Sequence, residues 1–366
     1  MSGKVRCAIP SRWLHFACCM AKRLLFASGI SPKNRRGVAI SKKTVMKSLL
    51  SRALLVTFVA TATSFGQTEA KTKPVGYESI TLNANQFNVI GLRLQGASVA
   101  SGNLETIGTA SVTDNEGSFA SILSASKTYI LEITSGTLSG LTVEATWTSG
   151  NTLNTPDNLS AAGVVAGVSY NLRPALTLEE IFGTTSSVLT KGFASGSSDI
   201  VWVPNGNGGY SRYYLHASNV WRNVDTSLAS PNVPITYTDA LLIEKRGSGA
   251  TLTLSGEVKV AGSTFPVVTG MNVVSTIYPA GVTLQNFGLE DDVQLGFGSG
   301  SADIIWIPNG SGGYERYYRH ASNVWRNVST NTDVTSNVTL SPGILIERRG
   351  AARTFTVTPP TSYSTL

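Results

Sequence analysis

One stretch of this sequence occurs twice in nearly the same form, at residues 191–226 and at residues 295–330. At a constant offset of 104 residues the two copies agree at 27 of 36 positions, with no gap. Self-similarity at a fixed spacing predicts a structural unit that is repeated along the chain. From the surrounding sequence we predict a first unit at residues 67–175, followed by two homologous modules at residues 176–257 and 258–366.

Residues 1–66 differ in composition from everything that follows. They hold 12 of the 29 Lys and Arg residues and no Asp or Glu, which leaves 17 basic and 22 acidic residues in the rest, a net charge of −5. A nucleic-acid partner needs a basic surface, so this balance argues against one. Cys7, Cys18 and Cys19 also lie in this segment, which excludes disulfides and cysteine metal sites from the remainder of the chain.

The second part of this leader, from Met46, has the order of a secretory signal peptide. Lys47 and Arg52 supply positive charge, residues 53–60 supply an apolar core, and small residues follow where cleavage would occur. The apolar core is too short to cross a membrane as a helix, which takes about 20 residues. We interpret 46–66 as the signal peptide and 1–45 as upstream over-translation, with an organellar transit peptide as the alternative. The sequence therefore predicts export to the periplasm, the outer cell surface or the extracellular space, without a transmembrane span in the mature chain.

The remaining residues show the alternation of strands, interrupted by Gly- and Asn-rich turns. Residues 76–82, 128–134 and 141–147 alternate between apolar and polar side chains, as half-buried strands do. Only residues 177–183 predict a helical turn, capped by Thr177. We predict an all-β fold of small tandem antiparallel modules, sandwich or barrel-like, after a cleaved or disordered leader.

Differences between the two copies predict which face of the strand at residues 210–216 meets solvent. Every difference falls on alternate residues, among them the exchange of Leu215 for Arg319. Side chains alternate between the two faces of a strand, so the variable face is interpreted as exposed. This places Tyr213 and Tyr317 in water beside Arg319, as a speculative surface for a glycan or a cell-surface protein.

The preceding strand is apolar on both faces in both copies. Residues 199–204 and 303–308 differ only by exchange of Val for Ile, which is the pattern of a packed core. We assign four tryptophans to that core: Trp202, Trp306, Trp221 and Trp325.

No group of residues forms a recognisable catalytic, cofactor or metal site in the sequence. His216 and His320 stand alone in their modules and are interpreted as hydrogen-bonded structural residues. Asp199 with Asn205 and Asn207 lacks the spacing of a calcium loop, so turn chemistry is favoured there.

Short motifs in this chain resemble a family of uncharacterised exported bacterial β-rich proteins. They lie at residues 74–77, 129–136, 170–183 and in the Gly-Gly-Tyr...Tyr-Tyr...Trp segment at 208–221. The resemblance implies a secretion signal and a β-rich fold, and it implies no activity, cofactor or catalytic residue. Residues 271–274 also echo residues 87–90, which raises the alternative that a larger unit is repeated.

These observations predict a non-catalytic structural or binding protein of the cell envelope or extracellular space. The duplicated unit repeats an aromatic surface and no acid–base pair, which favours binding of a glycan or a cell-surface protein. The alternative is a secreted hydrolase whose carboxylates meet between modules from distant strands. The oligomeric state stays open.

Overall fold

The structure is a computed structural model that describes residues 73–206 and 208–366. The predicted leader at 1–66 and its signal peptide lie outside the described residues, as does Asn207.

The described residues form 24 strands and a few short helices. The first three strands are β1 (Val75–Leu82), β2 (Gln86–Gly91) and β3 (Leu94–Gln95). They are followed by β4 (Ala100–Leu104), β5 (Thr106–Ile107), β6 (Ser111–Thr113), α1 (Phe119–Ile122), β7 (Thr128–Ile133), β8 (Thr142–Trp147), β9 (Thr152–Asn154), α2 (Leu159–Ala162) and β10 (Val168–Pro174). The chain continues with β11 (Leu176–Thr177), α3 (Leu178–Phe182), β12 (Ile200–Pro204), β13 (Tyr210–Leu215), β14 (Trp221–Asn223), β15 (Pro234–Ile235), β16 (Ala240–Lys245) and β17 (Ala250–Val258). It ends with β18 (Ser263–Val267), β19 (Gly270–Ser275), β20 (Ile304–Pro308), β21 (Tyr314–Arg319), β22 (Trp325–Asn327), β23 (Gly343–Arg348) and β24 (Arg353–Val357). Single 3-10 turns lie at Ser195–Ser197, Leu289–Asp291 and Thr361–Thr365.

The prediction of an all-β fold built from antiparallel sheets is confirmed. The sheets stay open, since each strand order begins and ends at an edge strand. The predicted helical turn is α3, where Thr177 and Glu180 form a reciprocal capping box. None of the helices in the described part of the chain is long and apolar enough to span a membrane.

The strand pairing shows a repeat larger than the duplicated stretch. One five-stranded sheet has the order β14-β13-β12-β16-β2, and the other has the order β22-β21-β20-β23-β19. Beside each sheet the two flanking strands pair with each other, β1 with β17 and β18 with β24. In these seven strands the two halves therefore have the same topology. The similar residues 87–90 and 271–274 lie on corresponding edge strands, β2 and β19.

The first repeat is interrupted by a separate domain. β1 and β2 pair with β17 and β16, although about 150 residues of chain lie between them. We define module A as residues 73–95 and 176–258, the inserted domain as residues 96–175, and module B as residues 259–366. The predicted first unit at 67–175 is corrected accordingly, because the strands of residues 75–95 complete the sheets of module A.

The inserted domain has a sheet and a core of its own. Its seven strands follow the order β4-β10-β7-β8-β9-β6-β5. Their inward side chains form one buried cluster around Leu131, Leu153 and Leu172, all fully buried. The modules, in contrast, share a single larger core that joins the inner faces of both five-stranded sheets to the β1/β17 and β18/β24 pairs.

The modules also contact each other through the outer faces of β2 and β16 in module A and of β19 and β23 in module B. Val89 and Ala240 of module A meet Val273 and Leu345 of module B in a small apolar cluster. The backbones approach closely here, since a Cβ added at Gly343 would lie 2.8 Å from the Val89 side chain. Glycine is therefore required at this position by the packing between the modules.

The duplicated hairpins follow the predicted turn chemistry. Asn205 N–H donates to the Gly209 carbonyl at 3.0 Å, and Asn309 N–H donates to the Gly313 carbonyl at 3.0 Å. Gly310, in the second of these loops, has a φ of 76°, which favours glycine.

A buried carboxylate ties together the elements of module A. Asp199, just before β12, accepts a 2.5 Å hydrogen bond from Lys245 Nζ at the end of β16. It also accepts backbone N–H groups of Thr190 at 2.7 Å, Arg246 at 2.7 Å and Gly247 at 3.2 Å. Both side chains of the ion pair are almost wholly buried. The carboxylate thus fixes the incoming loop and the following turn to the sheet.

The same clamp occurs in module B. Asp303 pairs with Arg348 at the end of β23 and accepts the backbone N–H of Arg349 at 2.8 Å.

Burial by itself raises the pKa of Asp199, but the hydrogen bonds from Lys245 and three backbone groups outweigh it and lower the pKa below 3.8. The ionised Asp199 is therefore the form that stabilises the fold.

We expect Asp199→Asn to lower the free energy of unfolding by about 3–5 kcal/mol at pH 7, because Lys245 is left buried without its partner. A carboxylate with a lowered folded pKa contributes its full stability above its unfolded pKa and loses it as the pH falls through the folded value. The difference between wild type and variant should therefore shrink below about pH 4. Urea unfolding at both pH values, with Asp303→Asn as the matched variant, measures this. Equal stability at pH 7 would contradict the assignment.

Candidate functional site

The structure buries much of the face of β13 and β21 that the sequence predicted to be exposed. Tyr317 is only 5 % exposed, and Tyr213 is half-buried and packs against the same core. Leu215 shares their face and is fully buried, so the prediction of an exposed surface at Tyr213 and Tyr317 is wrong. Its counterpart Arg319 is tolerated because its guanidinium lies over the Trp325 ring, 5.6 Å from the centroid. A long Arg stem covers apolar surface at the edge of a core, so a Leu-to-Arg exchange does not require solvent on that face.

The hydroxyl of Tyr317 is bound rather than available. It donates a hydrogen bond to the Glu315 carboxylate, and burial together with this bond raises the pKa of Tyr317 to about 12. Tyr213, Tyr317 and Arg319 therefore belong to the core and its margin, and not to an exposed aromatic surface.

The tryptophans divide into two pairs. Trp221 and Trp325 are 3 % exposed, as predicted for the core. Trp202 and Trp306 are only half-buried, because they lie on the opposite, outer face of the sheet. There Trp202 stands 6.1 Å from the Tyr210 ring and carries the guanidinium of Arg212 above it. Trp306 has the equivalent neighbours, Tyr314 and Arg316.

The most exposed large apolar side chains occupy the same place in both modules. Phe193 is 84 % exposed and Phe297 is 87 % exposed, and they are related by the 104-residue offset of the repeat. They were not predicted from the sequence, because a Phe that follows a Gly inside a repeat has the same pattern as a buried loop residue. The signal that was present is the sequence Gly-Phe-x-Ser-Gly-Ser, shared by both copies.

Each exposed Phe is held against a histidine of its own module. The ring of Phe193 stands 5.9 Å from His216 at an interplanar angle of 85°, and Phe297 stands 6.1 Å from His320 at the same angle. This is the edge-to-face arrangement that aromatic rings prefer. We call these the Phe–His pairs.

Glycine directs each Phe outwards. Gly192 accepts the N–H of Ala217 at 2.9 Å, so the loop runs alongside the end of β13. A Cβ at Gly192 would lie 2.3 Å from Ser197 Oγ, and one at Gly296 would lie 2.4 Å from Ser301 Oγ. The chain can follow this tight path only with glycine, and the next residue then points to solvent.

Hydrogen bonds fix the orientation of both imidazoles. His216 Nδ1 accepts the backbone N–H of Ser218 at 3.1 Å and lies 2.7 Å from its hydroxyl, and His320 has the same contacts with Ser322. An Nδ1 that accepts a backbone N–H carries no proton, so the neutral ring holds its proton on Nε2. This confirms the histidines as hydrogen-bonded residues. Nε2 has no partner among residues 73–206 and 208–366, and it is left as a donor beside the Phe ring.

Each Phe–His pair thus offers an exposed flat apolar ring next to a fixed N–H donor. Such a pair can stack against an apolar face of a ligand and donate one hydrogen bond to its polar edge. Among the described residues no group of three or more His, Cys, Asp and Glu side chains could hold a metal ion. The arrangement favours recognition of a neutral ligand.

Two carboxylates approach each other where the inserted domain meets module A. Asp239 precedes β16 and Glu144 lies on β8, and the neighbouring Thr238 and Thr142 hydroxyls are 3.4 Å apart. Burial, and then the charge of Glu144, raises the pKa of Asp239 to about 7. Burial also raises the pKa of Glu144, with a contribution from Asp157. These are the carboxylates from distant strands that the hydrolase alternative requires.

We expect Asp239→Asn to stabilise the protein at pH 8 and to have little effect at pH 4. A carboxyl with a raised folded pKa becomes charged at a cost as the pH rises from 3.8, its ordinary value, to about 7, while Asn stays neutral. The gain in free energy of unfolding should therefore grow across that window and then level off. Thermal unfolding of both proteins from pH 4 to pH 8 measures this. Glu144→Gln is a second variant, which should lower the pKa of Asp239 and so move the pH window downwards, because it removes the charge of Glu144. A difference independent of pH would contradict the assignment.

Comparison with known proteins adds no relative, since no protein family, curated protein or solved structure matches the chain.

Proposed function

We propose that this chain is an exported, non-catalytic binding protein that attaches to a glycan of the cell envelope or extracellular space. The two Phe–His pairs are its binding sites. The observation that carries the proposal is that the same Phe is more than four-fifths exposed in both copies and is held against the same histidine.

Exposure of a Phe ring has a cost that folding alone does not explain. Burying such a side chain stabilises a protein by roughly 1.5–3 kcal/mol, and each module forgoes that gain. The two copies differ at 9 of 36 positions, yet both retain the Phe, the Gly before it, the Ser-Gly-Ser that begins two residues after it, and the His. Apolar side chains that are exposed in a fixed place are typical of surfaces that bind a partner.

The chemistry of the pairs favours a sugar. A pyranose ring presents C–H groups on one face and hydroxyls at its edge, which suit an aromatic ring and an adjacent N–H donor. Each pair consists of a ring, an imidazole and a serine, and it contains no carboxylate. Glycoside hydrolysis uses two carboxylates, so binding without turnover fits these sites better.

Two equal sites favour a ligand that repeats its epitope. A polysaccharide presents the same unit many times, and engagement of both sites raises avidity by roughly 10²–10⁴ without any new contact. Duplication of a binding site therefore increases avidity, whereas duplication of an active site would bring no comparable gain.

We expect Phe193→Ala and Phe297→Ala each to weaken attachment to insoluble polysaccharide or isolated cell envelopes by roughly 10²-fold, since one site remains. The double variant should lose attachment. Stability should change by only about 0.5 kcal/mol, because the rings are exposed. Co-sedimentation with the polysaccharide measures the binding.

The control is Tyr77→Ala, an 80 % exposed aromatic outside the Phe–His pairs, which should leave attachment unchanged. Full attachment of the double Phe variant would remove the pairs from the proposal. Attachment abolished by protease treatment of the envelopes would identify a cell-surface protein instead of a glycan.

Export is supported by the charge-then-apolar order of residues 46–66. We expect the mature chain to begin near residue 63 or 67 and to be found outside the cytoplasm. N-terminal sequencing of the native protein checks both the cleavage position and the start. A mature chain that still carries residues 1–45 would contradict export by this signal.

The hydrolase alternative rests on one specific observation, the raised pKa of Asp239 beside Glu144. Release of reducing sugar by the purified protein, abolished by Asp239→Asn at unchanged fold, would favour it over the binding proposal.

A further inference from the structure

A groove of 590 Å³ lies between the outer faces of the two modules, away from the residues of the Phe–His pairs. Its walls come from β2, β12, β13 and β16 of module A and from the hairpin loop, β21 and β23 of module B. Sites for small molecules have volumes of about 300–1,000 Å³, so the groove is of that size.

Four aromatic rings form the walls of this groove. Phe87, Trp202 and Tyr210 belong to module A, and Tyr314 belongs to module B. The Trp202 ring lies 6.1 Å from Phe87 and 6.1 Å from Tyr210, edge to face with both. Arg212, above Trp202, is paired with Asp225, so its charge is partly compensated. The rings therefore support one another in fixed orientations.

The rest of the lining is polar without charge. Asn85, Gln86 and Ser311 contribute amide and hydroxyl groups, and no Asp, Glu, Lys, Arg or His is among the residues that line the groove. Burial, and then the neighbouring Tyr314, raises the pKa of Tyr210, so both phenols stay protonated at neutral pH. They can donate as well as accept hydrogen bonds.

The residues that line the groove on module A are not repeated at the corresponding positions of module B. In the corresponding strand of module B, Met271 takes the place of Phe87, and Gly270 takes the place of Gln86. Trp306, the counterpart of Trp202, is not in the lining and donates its Nε1–H to Glu347 at 3.1 Å. The fourth ring and the amide are therefore found only on the module A side.

We propose that this groove binds a short segment of neutral oligosaccharide. The apolar faces of its pyranose rings stack on Trp202, Tyr210 and Tyr314, and its hydroxyls bond to Asn85 and Gln86. A lining without charged groups does not suit phosphates or acidic ligands, while amides and phenols would be desolvated without partners by a purely apolar ligand. The inference deepens the proposed function, on which it rests for the class of ligand, and it adds a third, unique site.

Because both modules supply its walls, a ligand in the groove contacts module A and module B at once. Binding to the folded state alone raises stability with ligand concentration. Occupancy should therefore raise the melting temperature of the whole body formed by the two modules.

The test is a fluorescence titration with defined hexasaccharides of glucose, mannose, xylose and N-acetylglucosamine. At least one should change tryptophan emission saturably in wild type and in Trp306→Phe, and not in Trp202→Phe. Tyr314→Ala and Gln86→Ala should each weaken binding about tenfold in calorimetry. Circular dichroism and melting temperature verify that each variant is folded.

Absence of a response to all four sugars would overturn the proposal, as would equal loss of signal in Trp202→Phe and Trp306→Phe. A response to aromatic peptides alone would overturn the saccharide class. The Phe193→Ala, Phe297→Ala double variant should keep the hexasaccharide signal. If the double variant keeps both this signal and attachment to polysaccharide, the groove proposal is supported and the Phe–His proposal is contradicted. If the double variant loses attachment while wild type shows no hexasaccharide signal, the Phe–His proposal is supported and the groove proposal is contradicted.

Discussion

Pairing between strands that are far apart in sequence is the constraint on which the rest of this structure depends. Residue Val89 of β2 pairs with Leu242 of β16, so module A is complete only when the chain returns from the inserted domain. Closing a longer loop costs little more than closing a short one, and the insertion buries a core of its own. The five-stranded sheet of module A, its apolar contact with module B and the groove between the modules all require that β2 be in place.

A buried group of charges fixes the inserted domain at this junction. Glu132 of β7 pairs with Arg173 of β10 at 3.1 Å and with Lys259, which lies in the connection between the two modules. Burial lowers the pKa of Lys259, and the charge of Glu132 opposes that effect. The charged form of Lys259 therefore depends on its pairing with Glu132. Removal of one partner from such a group leaves an uncompensated buried charge. The network therefore links three parts of the chain that are far apart in sequence.

The sequence predicted the class of fold and the existence of homologous modules, because a 104-residue offset without gaps leaves little room for different folds. It did not predict the module boundaries, since the only trace of the corresponding edge strands is a four-residue echo at 87–90 and 271–274. It also misplaced the exposed face of β13. Leu215 is fully buried, while its counterpart Arg319 is half-buried with its guanidinium over the Trp325 ring, so the exchange of Leu for Arg does not mark a face in solvent. The exposure of Phe193 depends on the tight path of the chain at Gly192, and the shared Gly-Phe-x-Ser-Gly-Ser sequence does not give the direction of the Phe side chain.

Duplication and docking have opposite consequences for the two kinds of site. The Phe–His pairs lie within single modules, so duplication copied them unchanged. The groove lies between modules, and each wall there meets a different partner, so Phe87 and Met271 were free to differ. Close packing at Gly343 against Val89 holds the modules together and with them the spacing of the Phe–His pairs. Two sites at a fixed spacing gain avidity only on a ligand whose repeat fits that spacing. Under the proposed function, docking of the modules would therefore select among polymers that a single Phe–His pair would bind equally.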